Sequence, residues 1–239
     1  MFLCTILQSQ FTARLLTNES DSVLPPARRS FLTHVGAGAT ILGASIAATG
    51  TPAAGAQSGP RWQAARHEED AWFDQIPGKY RLVFDTTAPD GANWAATFAN
   101  NYYTANGSGY GLKDAGLVVI IVMRHNSTSF AYSDAIWSKY GENISKLIGF
   151  VDSNTKAAPK TNVYNRQLEG LLKRGMYLAV CQMATRRYAG SIAQAVGGTS
   201  DDIYKEITSN LLPNAHMVPA GIVALSRAQE YGYTSVTAV

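Results

Sequence analysis

The chain has 239 residues, of which 46 % are hydrophobic, 10 % aromatic and 15 % charged, with a formal net charge of +3. So low a charged fraction argues against disorder driven by self-repulsion, and a scattered +3 is too weak a field for nucleic-acid binding. No run reaches the roughly 18 uninterrupted apolar residues of a membrane-spanning helix, so a soluble domain with one core and an added N-terminal segment is expected.

That segment, residues 1–56, reads as an export address. Arg28 and Arg29 followed by Ser30, Phe31 and Leu32 have the twin-arginine arrangement of a Tat signal. A weakly apolar, Gly/Ala-rich stretch from Val35 to about Ala48 follows, and Ala54-Gly55-Ala56 offers a small-residue cleavage site. Cleavage after Ala56 removes Arg14, Arg28 and Arg29 against Glu19 and Asp21, lowering the net charge by one. It also removes Cys4. Cys181 is then the single cysteine, which excludes an internal disulfide in the oxidising space outside the cytoplasm. No cysteine adjoins the cleavage site, so no lipid anchor is expected.

Residues 57–78 are polar and irregular and read as a linker, with His67, Glu68, Glu69 and Asp70 as an acidic patch. The domain, residues 79–239, opens with a strand over residues 80–86. A helix then runs to about Ala105, with Asp90 as its expected cap. Trp94, Phe98 and Tyr102 recur every fourth residue on it and predict a core-facing stripe. The glycines at 107, 109 and 111 predict a flexible connection, since they sit between helix and strand, the wrong order for a phosphate loop. Residues 115–123 form an unalternating β-branched run, as in a central parallel strand buried on both faces.

Short helices are expected around residues 132–140 and 144–150, a loop over 155–161, and a helix over 163–174 stopped by Gly175. Trp137 is a candidate interface residue. A strand over 176–181 ends in Cys181 and runs into a helix reaching Val196. Thr199 or Ser200 caps the next helix, with Asp201 and Asp202 in its positive first turn. A last strand over about 220–225 leads to a short helix over 226–231. Strands separated by helices in this rhythm predict a doubly wound α/β fold, with a mainly parallel sheet between helix layers.

Asp85, the Arg124-His125 pair and Cys181 then fall at strand C-termini, the edge of an α/β sheet where ligands gather. Cys181 faces the N-terminus of the following helix, a setting that favours thiolate, with Arg186 and Arg187 in that helix's first turn. Against this stands the reading of Cys181 as a small buried hydrophobe. His125 and Arg186 are the candidate supporting groups. His216, in a rigid stretch between Pro213 and Pro219, either approaches the same edge or packs. No ligand spacing supports a Cys181/His125/His216 metal site, no cofactor motif is present, and no nucleophile elbow marks a hydrolase.

Residues 176–181, 210–221 and 227–233, together with Arg124-His125 and residues 137–141, resemble DsrE/DsrF-like proteins of the DsrE/F/H superfamily. Within it they are most similar to the exported branch that bears twin-arginine signals. The resemblance covers residues 80–233. It implies a small doubly wound domain that assembles as a homo-oligomer. It also implies sulfur carriage as a persulfide on the cysteine matching Cys181, passed between a donor and an acceptor protein. Residence in the periplasm follows from the signal, with the Tat export machinery as a partner. Two functions therefore stand: a sulfur carrier working through Cys181, and a non-catalytic oligomeric binding module in which Cys181 only packs.

Overall fold

The computed structural model describes residues 63–239; the twin-arginine segment and its cleavage site lie outside these residues. The sheet has five parallel strands: β1 (Tyr80–Thr86), β2 (Leu117–Met123), β3 (Tyr177–Cys181), β4 (Ala215–Val218) and β5 (Thr234–Ala238). Their order is β4-β3-β2-β1-β5. The helices are α1 (Trp72–Gln75), α2 (Pro89–Tyr110), α3 (Asp134–Ile148), α4 (Asn165–Lys173), α5 (Gln182–Val196), α6 (Ser200–Thr208) and α7 (Gly221–Glu230). Among the described residues no helix is long and apolar enough to cross a membrane.

The unalternating run of β2 has its physical reason in its central place: all seven residues are buried. Val119, Ile121 and Met123 enter the core shared with α2, α3, α4, α5 and α6, and Val118, Ile120 and Val122 enter the core shared with α1 and α7. The steps from β1 to β4 move across the sheet in one direction, with their helices on one face. The step from β4 to β5 returns, with α7 on the other face. Right-handed crossovers require this division. The fold is the doubly wound α/β expected from the sequence, and its topological switch point lies between β3 and β4, whose following helices leave on opposite faces.

Several local expectations are corrected. Residues 68–76 of the expected linker belong to the packed domain, because Phe73 and Ile76 are buried against the sheet. Helix α2 runs through the glycine cluster to Tyr110 and stops at Gly111, whose φ of 66° a side chain would resist. Propagating an existing helix adds a hydrogen bond per residue, enough here to offset the glycines. Its N-cap is Ala88, with no side-chain cap, and Asp90 stands in the first turn.

The buried face of α2 is Ala92, Ala95, Ala96, Ala99 and Tyr103, whereas Trp94 and Phe98 are 47 % and 41 % exposed. Four alanines let the helix axis sit close to the sheet, which turns the aromatic stripe outward. One helix, α3, replaces the two short ones, and Trp137 is fully buried with its Nε1 donating to the Ser129 carbonyl at 3.0 Å. The expected strand over 220–225 is α7 instead. A short apolar run does not distinguish strand from helix, and the strand lies earlier, before Pro219. β5 carries no apolar run and owes its existence to pairing with β1, from Leu82↔Thr234 to Thr86↔Ala238.

Gly141 sets how closely α3 lies to the loop expected over 155–161, since a Cβ there would collide with the Pro159 carbonyl oxygen. Gly141→Ala is expected to cost about 2 kcal/mol and to lower the thermal midpoint by about 4–8 °C, read by circular dichroism. An unchanged midpoint would show that the loop yields.

Candidate functional site

Cys181 ends β3 and is the N-cap of α5. Its Sγ accepts the Ala184 N–H at 3.4 Å, so one of the orphan donors of the helix start points at sulfur. Its carbonyl accepts from Thr185 Oγ1 at 3.0 Å, and Thr185 Oγ1 in turn accepts from Tyr132 Oη at 3.0 Å. This chain is buried throughout, and burial is the main cause holding the Tyr132 phenol well above its ordinary pKa. Tyr132 therefore stays a neutral donor that fixes the strand-to-helix turn. Cys181 itself is 6 % exposed, and its register partner across the switch point is Val218.

Arg124 and Asp85 extend from the ends of β2 and β1 as a bidentate pair, with Nε to Oδ1 at 2.7 Å and Nη2 to Oδ2 at 2.8 Å. The hydrogen bond to Asp85 is the leading reason the guanidinium holds its proton more tightly than usual, and Cys181 is near enough to add a smaller pull in the same direction. Met123↔Val180 is the last pair between β2 and β3, so Arg124 and Cys181 stand on neighbouring strand ends. Gly221, the first residue of α7, lies against Arg124: a Cβ there would collide with the Arg124 side chain. Below this pair, Ser127 Oγ receives the Arg124 N–H at 3.0 Å and the Thr86 hydroxyl at 2.8 Å, tying the ends of β1 and β2 together.

The two residues expected to support Cys181 are placed differently. His125 is exposed, with φ at 57°, a conformation that costs a non-glycine residue about 1 kcal/mol or more. Its carbonyl accepts from Tyr188 Oη at 3.3 Å. Arg186 turns toward α6, where Nη1 lies 3.5 Å from Asp201 and the guanidinium covers the Tyr204 ring at 4.2 Å. Arg187 reaches Asn126 Oδ1 at 3.1 Å. Arg186 and Arg187 lie beyond the first turn of α5, which begins at Gln182, and the arginine on the strand end next to Cys181 is Arg124. Tyr132, Thr185 and Ser127 were not singled out from the sequence, because the bonds that tie them to other segments, Tyr132 to Thr185 and Thr86 to Ser127, join residues far apart in the chain.

His216 stacks on Trp72, with ring centroids 4.4 Å apart, on the wall of a cleft of about 490 Å³. Gln182 and Val218 also line this cleft, which brings its mouth to the residues flanking Cys181 in chain and in register. Among the described residues no group of three or more His, Cys, Asp or Glu is placed to hold a metal ion.

Burial holds the His216 imidazole below its ordinary value of 6.5, against a smaller opposing pull from Asp70. The unfolded chain therefore binds this proton more readily than the folded one. The stability contributed by neutral His216 is complete above 6.5 and is lost as pH falls through the lower folded value. Glu68, Glu69 and the Asp70–Arg227 pair, 3.4 Å apart, are the charged groups around it. His216→Phe, which keeps the stack, is expected to flatten the fall in thermal midpoint between about pH 7 and 5. An unchanged slope would assign that fall to carboxylates.

No family model matches the chain, and no curated protein matches it. A solved structure with a similar course is MTH1491, a protein of unknown function from Methanobacterium thermoautotrophicum. It shares 14 % identity over 66 % of this chain and 99 % of its own, with a TM-score of 0.38.

Proposed function

We propose that this protein is an exported DsrE-like sulfur carrier, residing in the periplasm, in which Cys181 accepts and yields a sulfane sulfur. The observation that carries the reading is the setting of Cys181 Sγ. It lies at the switch point, receives the Ala184 N–H at 3.4 Å and belongs to the strand end next to that of Arg124, which Asp85 holds in place. The thiolate is the nucleophile in sulfur exchange, and the Ala184 N–H is aimed at the sulfur that would carry it.

The step is balanced without a redox partner. The Cys181 thiolate attacks the outer sulfur of a donor persulfide, a new S–S bond forms, the donor's S–S bond breaks, and the donor leaves as a thiolate. The reverse step onto an acceptor thiolate restores Cys181. Tat export delivers the folded protein, and donor and acceptor proteins are its exchange partners. His125, exposed on a strained turn at the same edge, is available to an incoming partner.

The low exposure of Cys181 favours a second reading, a homo-oligomeric binding module whose ligand fills the cleft beside His216 and whose thiol only packs. Intact mass of the unreduced protein after incubation with a small-molecule persulfide separates the two. Sulfur carriage is expected to add one sulfur, removable by a reductant and mapped to Cys181. A thiol that neither gains sulfur nor reacts with an alkylating agent until denaturation would favour the binding module.

A further inference from the structure

The outward stripe of α2 and the free edge of β5 belong to one surface. Gly91 of α2 lies against Ala238 of β5, and α2 rests over β1 with β2 on one side and β5 on the other. Helical spacing places Trp94, Phe98 and Tyr102 on the side of α2 that Gly91 also occupies, which overhangs β5. Trp94 and Phe98 stack on each other at 5.6 Å. Val236, 40 % exposed, sits on the sheet face beneath them, and Tyr80, 48 % exposed, continues the patch where β5 stops short of the start of β1. Among the described residues β5 pairs with β1 alone, so its outer backbone groups are open to another strand.

The surface lacks the usual protections of an edge. α2 has 22 residues and one charged side chain, Asp90, in a chain that is 15 % charged. Residues 233–239 carry no Asp, Glu, Lys or Arg and no proline. Two copies of an uncharged face meet without like-charge repulsion, while a partner selected by charge finds nothing to read.

We infer that this surface binds a second copy of the chain about a twofold axis, β5 antiparallel to β5 of the partner, with the two α2 helices side by side. The spacing explains the aromatic residues. With α2 over β1 and the axis half a strand spacing beyond β5, the two helices lie about 14 Å apart. Helices that touch through ordinary side chains lie about 8–10 Å apart. Trp94, Phe98 and Tyr102 from both copies fill that gap, whereas alanines would leave it open. Because Gly91 lies at the Ala238 end of β5, antiparallel strands bring the N-terminal part of each α2, which carries Trp94 and Phe98, alongside the other.

Sedimentation velocity on the full-length chain is expected to give a dimer at micromolar concentration. Trp94→Lys and Phe98→Asp are each expected to raise the dissociation constant at least about thirtyfold, while Ile222→Lys on exposed α7 leaves it unchanged. Both interface positions are exposed, so their far-ultraviolet circular dichroism should match the parent protein. A variant-free check is hydrogen exchange, in which β5 amides should slow as the parent protein is concentrated. A monomer at all concentrations, an assembly indifferent to both substitutions, or β5 exchange independent of concentration would overturn the proposal. So would capture of an unrelated extended peptide on β5 by a chain that stays monomeric.

Discussion

Cys181→Ser is expected to reduce sulfur uptake to background while changing stability by no more than about 1 kcal/mol. The two halves of this result have separate causes. Serine is nearly isosteric with cysteine and is a favoured N-cap residue, so its Oγ can take over the Ala184 N–H and the start of α5 is preserved. Thr185 still donates to the backbone carbonyl at this position, which a side-chain change does not touch. A serine hydroxyl that no general base activates, however, is a weak nucleophile toward a sulfane sulfur. Intact-mass measurement against thermal denaturation of the same samples reads both halves. Sulfur uptake that survives the substitution would remove Cys181 from the chemistry.

Arg124→Ala is expected to destabilise the fold by about 2–3 kcal/mol, because it leaves the Asp85 carboxylate desolvated and without its partner. Asp85 has a side chain only 7 % exposed, against 27 % for Arg124, so the carboxylate bears most of the penalty. At this chain length the thermal midpoint should fall by about 5–10 °C. Removing Asp85 as well should recover part of the loss, giving a non-additive double-mutant cycle across the pair. The same variant is expected to slow sulfur uptake by Cys181, since the guanidinium on the neighbouring strand end is gone. Additive losses in the cycle would mean that the two side chains stabilise the fold independently. An unchanged uptake rate would mean that the field at sulfur comes from the start of α5 alone.

Much of the site's location was legible in the linear chain. An unalternating β-branched run such as residues 117–123 has few uses other than a strand buried on both faces. A strand of that kind with helices on either side in sequence leads to a parallel sheet, and so to polar residues gathered at strand ends. Asp85, Arg124 and Cys181 were placed on one edge by that reasoning. The choice of supporting cation was not legible. Arg186 is close to Cys181 in the chain, but helical rotation sends it to Asp201 and Tyr204, and sheet order puts Arg124 on the strand end next to Cys181.

The α2 stripe shows the same limit from the other side. Fourfold spacing of Trp94, Phe98 and Tyr102 establishes that they share a helix face, and spacing carries no information about which face meets the sheet. The alanines decide it, because their small volume lets the helix approach, and that is a comparison between two faces made only on packing. β5 is the extreme case. Its five residues have no pattern of their own, and the strand exists because β1 offers an edge.

By itself, then, the sequence determined the fold class, the edge that carries the candidate site, and the single thiol of the domain. These depend on local burial patterns and on counting residues. The tertiary structure decided which arginine stands on the strand end next to Cys181, which face of α2 meets the sheet, and which strand β5 pairs with. Each of those depends on contacts between segments far apart in the chain, whose meeting no local pattern records.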